Sequence, residues 1–239
     1  MLRSIALALA LFAGTAQAED TLHTDLPLLY LEQTQSEARN QPLVIFLHGY
    51  GSNEQDLFGL RDRLPSTWTY LSARAPLPVD PQGYRWFTKT PGDGDYDGET
   101  ADLRSSAKLI GDFVAQATRK YHTESDRVFL VGFSQGAIMS YEVGLRHPET
   151  LRGIAALSGS LLPVLKAELK PTAQLEKLAI FIGHGTLDQA LPYVSATRAD
   201  EVLQGLSLKP EFHGYPGMIH TIGEAEVQDL KNWLENSLL

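Results

Sequence analysis

Apolar residues fall along this chain in two patterns. One is the short continuous run, at 26–31, 42–47, 68–73, 128–131, 154–157 and 178–182. Runs of this length, continuous rather than alternating, predict strands buried on both faces, as in a sheet covered by helices. A shorter segment, 211–215, reads as a last strand. The other pattern has a helical period. Leu103, Ala107, Ile110, Val114, Ala117 and Tyr121 form one apolar stripe on a helix over 99–122. Ile138, Tyr141 and Leu145 share a face after residue 134, in a helix that stops near His147-Pro148 because proline disfavours helix in the residue before it. Residues 194–206 read as helical. A final helix over 221–238 carries Ile222, Ala225, Leu230, Trp233 and Leu234 on its apolar side, and Thr221 and Glu224 are spaced as a capping box at its start.

Strands thus alternate with helices along the chain. This predicts an α/β fold: one doubly wound, mostly parallel sheet in a single domain. No repeat or linker divides it. The exception to the alternation is 76–98, where Pro76, Pro78, Pro81, Gly83, Pro91, Gly92, Gly94 and Gly98 break regular structure and Asp93, Asp95 and Asp97 add charge. A loop of this length in a compact domain is usually functional or disordered, and the cluster Tyr84-Arg85-Trp86-Phe87 favours a packed, functional loop. In open sheets of this kind, ligands bind at the carboxyl ends of the strands. His48-Gly49, Ser134, Ser158-Gly159, 183–188 and 215–220 all follow strand candidates, so all are expected on that edge.

The first 18 residues read differently. Arg3, an apolar stretch over 5–13 and Ala16-Gln17-Ala18 make a secretory signal peptide with cleavage before Glu19, leaving 19–239 as the folded domain. The apolar stretch is shorter than the roughly 20 residues of a membrane span, so no stable membrane anchor is expected after cleavage. Losing Arg3 takes the formal net charge from −9 to −10. An acidic surface excludes nucleic acid and anionic lipid as electrostatic partners. The chain has no cysteine, which excludes disulfides, thiolate metal sites and a cysteine nucleophile. Export without disulfides points to a periplasmic or secreted bacterial protein.

The candidate chemistry centres on Gly132-Phe133-Ser134-Gln135-Gly136, a G-x-S-x-G motif between a strand and a helix. Such a turn strains the backbone of Ser134, and side chains at 132 and 136 would collide with the adjoining strand or helix. A serine hydroxyl is a weak nucleophile and needs a base and an orienting acid. On this architecture the order is serine, acid, histidine. Asp188 is the only carboxylate in the loop after the 178–182 strand, with a turn or capping role as its alternative and Asp200 as its rival. His220 follows the last strand, with His213 as its rival. His48 and His184, each before a glycine at a strand end, read as structural supports. The oxyanion donors are expected to be the backbone N–H groups of Gln135 and Tyr50. Trp86, Phe87, Leu161 and Leu162 are candidates for an apolar acyl groove, though each fits a core position equally well. Neither metal-ligand spacing nor a phosphate-binding glycine loop is present, so no cofactor and no metal are expected.

Together, His48-Gly49-Tyr50-Gly51-Ser52-Asn53, Gly132-Phe133-Ser134-Gln135-Gly136-Ala137, Gly183-His184-Gly185 through Asp188, and 215–220 resemble the phospholipase/carboxylesterase family of α/β-hydrolases, which includes the acyl-protein thioesterases. Gly83-Tyr84-Arg85-Trp86-Phe87 and Ser158-Gly159 resemble it too, and the match runs from about 28 to 238. The resemblance implies Ser134, Asp188 and His220 as a triad, the amides of Tyr50 and Gln135 as the oxyanion hole, and cofactor-free hydrolysis of small-molecule carboxylic esters. Acyl thioesters and lysophospholipids are alternative substrates. About 20 residues separate Ser158 from the next strand, too few for a lid domain, and this favours short-to-medium acyl chains. A catalytically silent binding protein on the same scaffold is the reading of a different class.

Overall fold

The apolar runs are continuous because each central strand is covered on both faces. The computed structural model describes residues 20–35, 39–79, 81, 83–90 and 97–239. The signal segment 1–18 and Pro91, Gly92, Asp93, Gly94 and Asp95 lie outside the described residues.

In chain order the elements are β1 (Tyr30–Gln33), β2 (Leu43–Leu47), β3 (Thr69–Ala73), the two-residue strands β4 (Leu77–Pro78), β5 (Tyr84–Arg85), β6 (Lys89–Thr90) and β7 (Asp97–Gly98), then α1 (Thr100–Lys120), β8 (Val128–Phe133), α2 (Gln135–Arg146), β9 (Gly153–Leu157), α3 (Pro163–Glu168), β10 (Ala179–Gly185), α4 (Val194–Gly205), β11 (Glu211–Tyr215) and α5 (Glu224–Asn236). Seven strands form one sheet in the order β1-β3-β2-β8-β9-β10-β11. All neighbours pair in parallel except β1, which runs antiparallel to β3. The order starts at β2 and grows outward in both directions, the doubly wound arrangement expected from the alternation.

Successive residues of a strand point to opposite faces. Leu43, Ile45 and Leu47 of β2 and Val128 and Leu130 of β8 face the core beneath α1, α2 and α4, with Leu103, Ile110, Ile138, Tyr141 and Leu203. Val44, Phe46, Phe129 and Val131 face the other core, beneath α5 and the turn at Phe58–Arg63, with Phe58, Leu230, Trp233 and Leu234. Complete burial of one such side chain stabilises the fold by about 1.5–3 kcal/mol.

Three expectations change. The first strand is shifted. β1 ends at Gln33, and Glu32 and Gln33 are only half-buried, as an edge strand allows. The capping box does not form. α5 begins at Glu224 after Gly223, and no side chain caps it. The Glu224 carboxylate instead accepts two hydrogen bonds from Arg63, at 2.8 and 2.6 Å, and residues 217–223 precede the helix as a loop. Within 76–98 the chain forms two small antiparallel pairs, β4 with β5 and β6 with β7, rather than an irregular loop. α3 is an addition, starting at Pro163, which suits the first turn of a helix.

One buried carboxyl marks the contact between α5 and β10. Glu226 is fully buried, and neither carboxyl oxygen accepts a hydrogen bond of normal geometry. A Cβ on Gly183 would lie 2.3 Å from Glu226 Oε1, so the glycine makes room for the carboxyl. Burial pushes the Glu226 pKa up to about 8, and the Gly223 amide counters this only in part. An unfolded glutamate titrates near 4.5, so between these values the folded chain holds a proton that the unfolded chain has lost. Stability therefore falls as pH rises through that window, by on the order of 1 kcal/mol per pH unit. Glu226→Gln removes this dependence. Its stability in urea, relative to the parent chain, should increase steadily from pH 5 to about pH 8 and level off above that; a difference that stays constant from pH 5 to pH 8 contradicts the assignment.

Candidate active site

α2 starts so close to the sheet that only glycine fits at two positions. A Cβ on Gly132 would lie 2.1 Å from Gly136 O, and a Cβ on Gly136 would lie 1.9 Å from Leu47 O. The single residue that joins β8 to α2 within this space is Ser134, at φ 55° and ψ −116°. A side-chain-bearing residue in such a conformation costs on the order of 1–3 kcal/mol. The Ser134 amide donates to Leu157 O at 2.9 Å, and its carbonyl accepts from Ile138 at 3.1 Å. The turn lifts the hydroxyl off the carboxyl edge of the sheet, beside the N-terminus of a helix, where negative charge is favoured.

Two loops further along the edge are bonded to each other. Thr186 N–H donates to Tyr215 O (3.0 Å), Leu187 N–H to Met218 O (2.9 Å) and Gly217 N–H to Thr186 Oγ1 (2.9 Å). A Cβ on Gly185 would lie 2.2 Å from Met218 O, so glycine permits the approach. This cross-bonding brings Asp188 and His220 together. Asp188 Oδ2 is 2.6 Å from His220 Nδ1, and His220 Nε2 is 3.0 Å from Ser134 Oγ. The Phe133 ring packs on the imidazole with centroids 4.8 Å apart.

The Asp188 side chain is shut off from solvent. Burial by itself raises a carboxyl pKa, but the hydrogen bonds from His220 and the Leu191 amide outweigh it and hold Asp188 below the usual value. Its other oxygen, Oδ1, accepts from the amides of Ala190 and Leu191, both at 2.9 Å. A carboxylate at Nδ1 fixes the His220 proton on that nitrogen and leaves the Nε2 lone pair towards Ser134. The rivals lie elsewhere. Asp200 is on α4, accepting from Gln204 at 2.8 Å. His213 is in β11, stacked on Phe181 and 3.0 Å from Glu211.

His184 and His48 are both fully buried. His184 Nε2 donates to Leu191 O at 2.8 Å and lies 3.3 Å from Asp188 Oδ2, so it braces the loop that carries the acid. His48 accepts the Ala75 amide on Nε2 at 3.1 Å and bonds Gly49 O through Nδ1 at 2.7 Å. Burial lowers both imidazole pKa values and keeps the rings neutral.

The turn after β2 faces Ser134. A Cβ on Gly49 would be 3.4 Å from Ser134 Cβ, and Tyr50 follows directly. Gly51 N–H to Tyr84 O (2.9 Å) and Tyr84 N–H to Ser52 O (2.8 Å) lock this turn to β5, while Arg74 grips Glu54 with two 2.5 Å bonds. Gln135 has a role beyond its amide. Its side-chain Oε1 accepts from Trp86 N (2.9 Å) and its Nε2 donates to Phe87 O (2.8 Å), which staples residues 86–87 to the start of α2.

The four acyl-groove candidates are core residues. Trp86 and Phe87 are 0% exposed, Leu161 5% and Leu162 1%. The Trp86 indole N–H donates to His48 O (2.8 Å), and Ser106 Oγ donates to Trp86 O (2.5 Å), so its polar groups are consumed internally. Leu161 and Leu162 pack with Leu165 of α3. A cavity of about 790 Å³ at Ser134 and His220 is lined instead by Tyr50, Arg85, Thr88 and Lys89, among others. A hollow of about 320 Å³ shares Asp56, Phe133 and His220 with it and adds Leu57, Leu60 and Ile222. Among the described residues, no group of three or more histidine, aspartate or glutamate side chains is placed to hold a metal ion.

The profile of the Phospholipase/Carboxylesterase family matches residues 30–238. An acyl-protein thioesterase 1 of Neurospora crassa is 31% identical over 222 residues, covering 84% of this chain and 89% of that protein. A probable inactive carboxylesterase of rice (Oryza sativa subsp. japonica) is 27% identical over 228 residues, covering 87% of this chain and 89% of that protein. Among solved structures, esterase PE8 superposes with a TM-score of 0.72 at 29% identity, over 86% of this chain and 96% of that one. A Bacillus cereus carboxylesterase shares the fold at a TM-score of 0.74 and 22% identity, over 87% and 93% of the two chains. This chain belongs to the phospholipase/carboxylesterase family, and it is a serine hydrolase with the α/β-hydrolase fold.

Proposed function

We propose that the protein hydrolyses carboxylic esters of short-to-medium acyl chains, with Ser134 as nucleophile, His220 as general base and acid, and Asp188 as the carboxylate that orients the imidazole. The observation that carries this reading is the unbroken line from Ser134 Oγ to His220 (3.0 Å) and from His220 to the buried Asp188 carboxylate (2.6 Å).

In this mechanism Ser134 Oγ adds to the ester carbonyl carbon as its proton passes to His220 Nε2. The carbonyl oxygen takes the negative charge and accepts from the backbone N–H groups of Tyr50 and Gln135. Collapse of the tetrahedral intermediate breaks the bond to the alkoxy oxygen, which leaves with the proton from Nε2. Water then adds to the acyl-enzyme with the same assistance, and the carboxylic acid departs. Asp188 stays ionised throughout and stabilises the imidazolium form of His220. Each oxyanion donor in such a site is worth about 10²–10³ in rate.

The hollow lined by Leu57, Leu60 and Ile222 suits an acyl chain, and its volume of about 320 Å³ limits the length of that chain. Acyl thioesters are a second reading, supported by the name of the Neurospora crassa relative and by the same line of three side chains.

Ser134→Ala should lower kcat for p-nitrophenyl butyrate by several orders of magnitude, roughly 10⁶ by comparison with other serine-hydrolase triads. Retention of parent-like activity in that variant would remove Ser134 from the mechanism. Across a p-nitrophenyl ester series, kcat/KM should peak between C4 and C8 and decline beyond. A rate that climbs through C16 rejects the proposed chain-length limit.

A further inference from the structure

The cavity at Ser134 carries a cation that the hydrolytic mechanism does not use. Arg85 is the last residue of β5 and lines the cavity together with Ser134 and His220. Its side chain is partly buried, its Nε is sealed from solvent, and among the described residues that Nε has no hydrogen-bond partner and the guanidinium forms no ion pair. Arg61, Arg63, Arg74, Arg104 and Arg146 each grip a carboxylate. The anion whose titration Arg85 influences is Asp102, but Asp102 Oδ2 accepts the Thr88 amide at 2.9 Å and makes no ion pair with the guanidinium.

The backbone at Arg85 is held on both sides. Tyr84 is bonded to Gly51 and Ser52 in the turn that faces the serine. Trp86 N–H is bonded to the Gln135 side chain one residue beyond Ser134. The Arg85 backbone is therefore anchored on both sides, and the side chain it carries lines the same cavity as the nucleophile. Leaving a buried guanidinium N–H unsatisfied is unfavourable, and a carboxylate satisfies it with a charge-assisted, often two-pronged bond. The other charged residues lining the cavity are Lys89 and Asp56, both exposed, so water screens them more than it screens Arg85.

Building on the esterase reading, we propose that Arg85 selects esters that carry a free carboxylate, held in the polar cavity while an apolar group occupies the hollow at Leu57, Leu60 and Ile222. The chain as a whole has a formal net charge of −9, so a carboxylate-bearing substrate gains this preference from the local cation and not from the overall field. Arg85 is here a specificity-determining residue; it takes no part in bond making or breaking.

The test is a ratio of kcat/KM values measured on the full-length chain and on Arg85→Gln and Arg85→Lys. One arm places the carboxylate on the acid side, with mono-p-nitrophenyl glutarate against p-nitrophenyl valerate. The other places it on the alcohol side, with 3-acetoxybenzoate against phenyl acetate. In at least one arm, Arg85→Gln should lower the ratio of anionic to neutral substrate by about 10- to 100-fold, mainly through KM. Arg85→Lys should restore part of that loss, and salt should shrink the preference in the parent chain. Ratios that are the same in the parent and in Arg85→Gln for both arms overturn the proposal, as does an equal fall for anionic and neutral esters. Failure of the esterase reading would look different: the parent chain would hydrolyse no neutral ester, or would do so without Ser134.

Discussion

The closeness of α2 to the sheet governs the site. Because Gly136 lies against the carbonyl of Leu47 and Gly132 against the carbonyl of Gly136, the link between β8 and α2 is compressed into one residue. Ser134 takes a positive φ as a result, its hydroxyl is raised above the strand ends, and the α2 amides begin immediately beside it. The same compression puts the Gln135 side chain where it reaches the backbone of Trp86 and Phe87. One steric constraint thus fixes the serine, the helix terminus and the wall of the cavity that contains Arg85.

Burial and hydrogen bonding then sort the charges. Asp188 is the carboxylate of this region whose pairing outweighs its desolvation. The two buried histidines, His184 and His48, are kept neutral by burial; His184 bonds Leu191 O through Nε2, and His48 bonds backbone groups through both ring nitrogens. Glu226 illustrates the opposite balance. It is buried without a comparable partner, so its pKa rises to about 8 and it holds its proton. A carboxyl that stays ionised at neutral pH and one that stays protonated lie on the same half of the sheet, and hydrogen bonding is what separates them.

Much of the fold was legible in the sequence because the strongest signals are local. Continuous apolar runs such as 43–47 and 128–131 announce strands covered on both faces, and the stripe from Leu103 to Tyr121 announces α1. Ser134, Asp188 and His220 could be picked out by a local motif and by their order along the chain. What was not legible depends on distant partners. Glu224 looked like a capping residue from its spacing to Thr221, but Arg63, far away in sequence, takes its carboxylate. Trp86 and Phe87 fitted an acyl groove and a core position equally well from sequence, and the choice falls to distant partners: Gln135, His48 and Ser106 bond the groups of this segment and hold it in the core. The Gln135 staple left no signal in its own neighbourhood, and that Arg85 Nε is buried without a partner among the described residues is a property of the folded surroundings alone.

The central claim is that the strained serine is the nucleophile poised by the His220–Asp188 pair. Covalent labelling with a fluorophosphonate, followed by mass spectrometry of the peptides, tests it most directly. The account predicts one phosphonyl group per chain, attached to Ser134. No labelling of a folded chain, or attachment to a different residue, would contradict it.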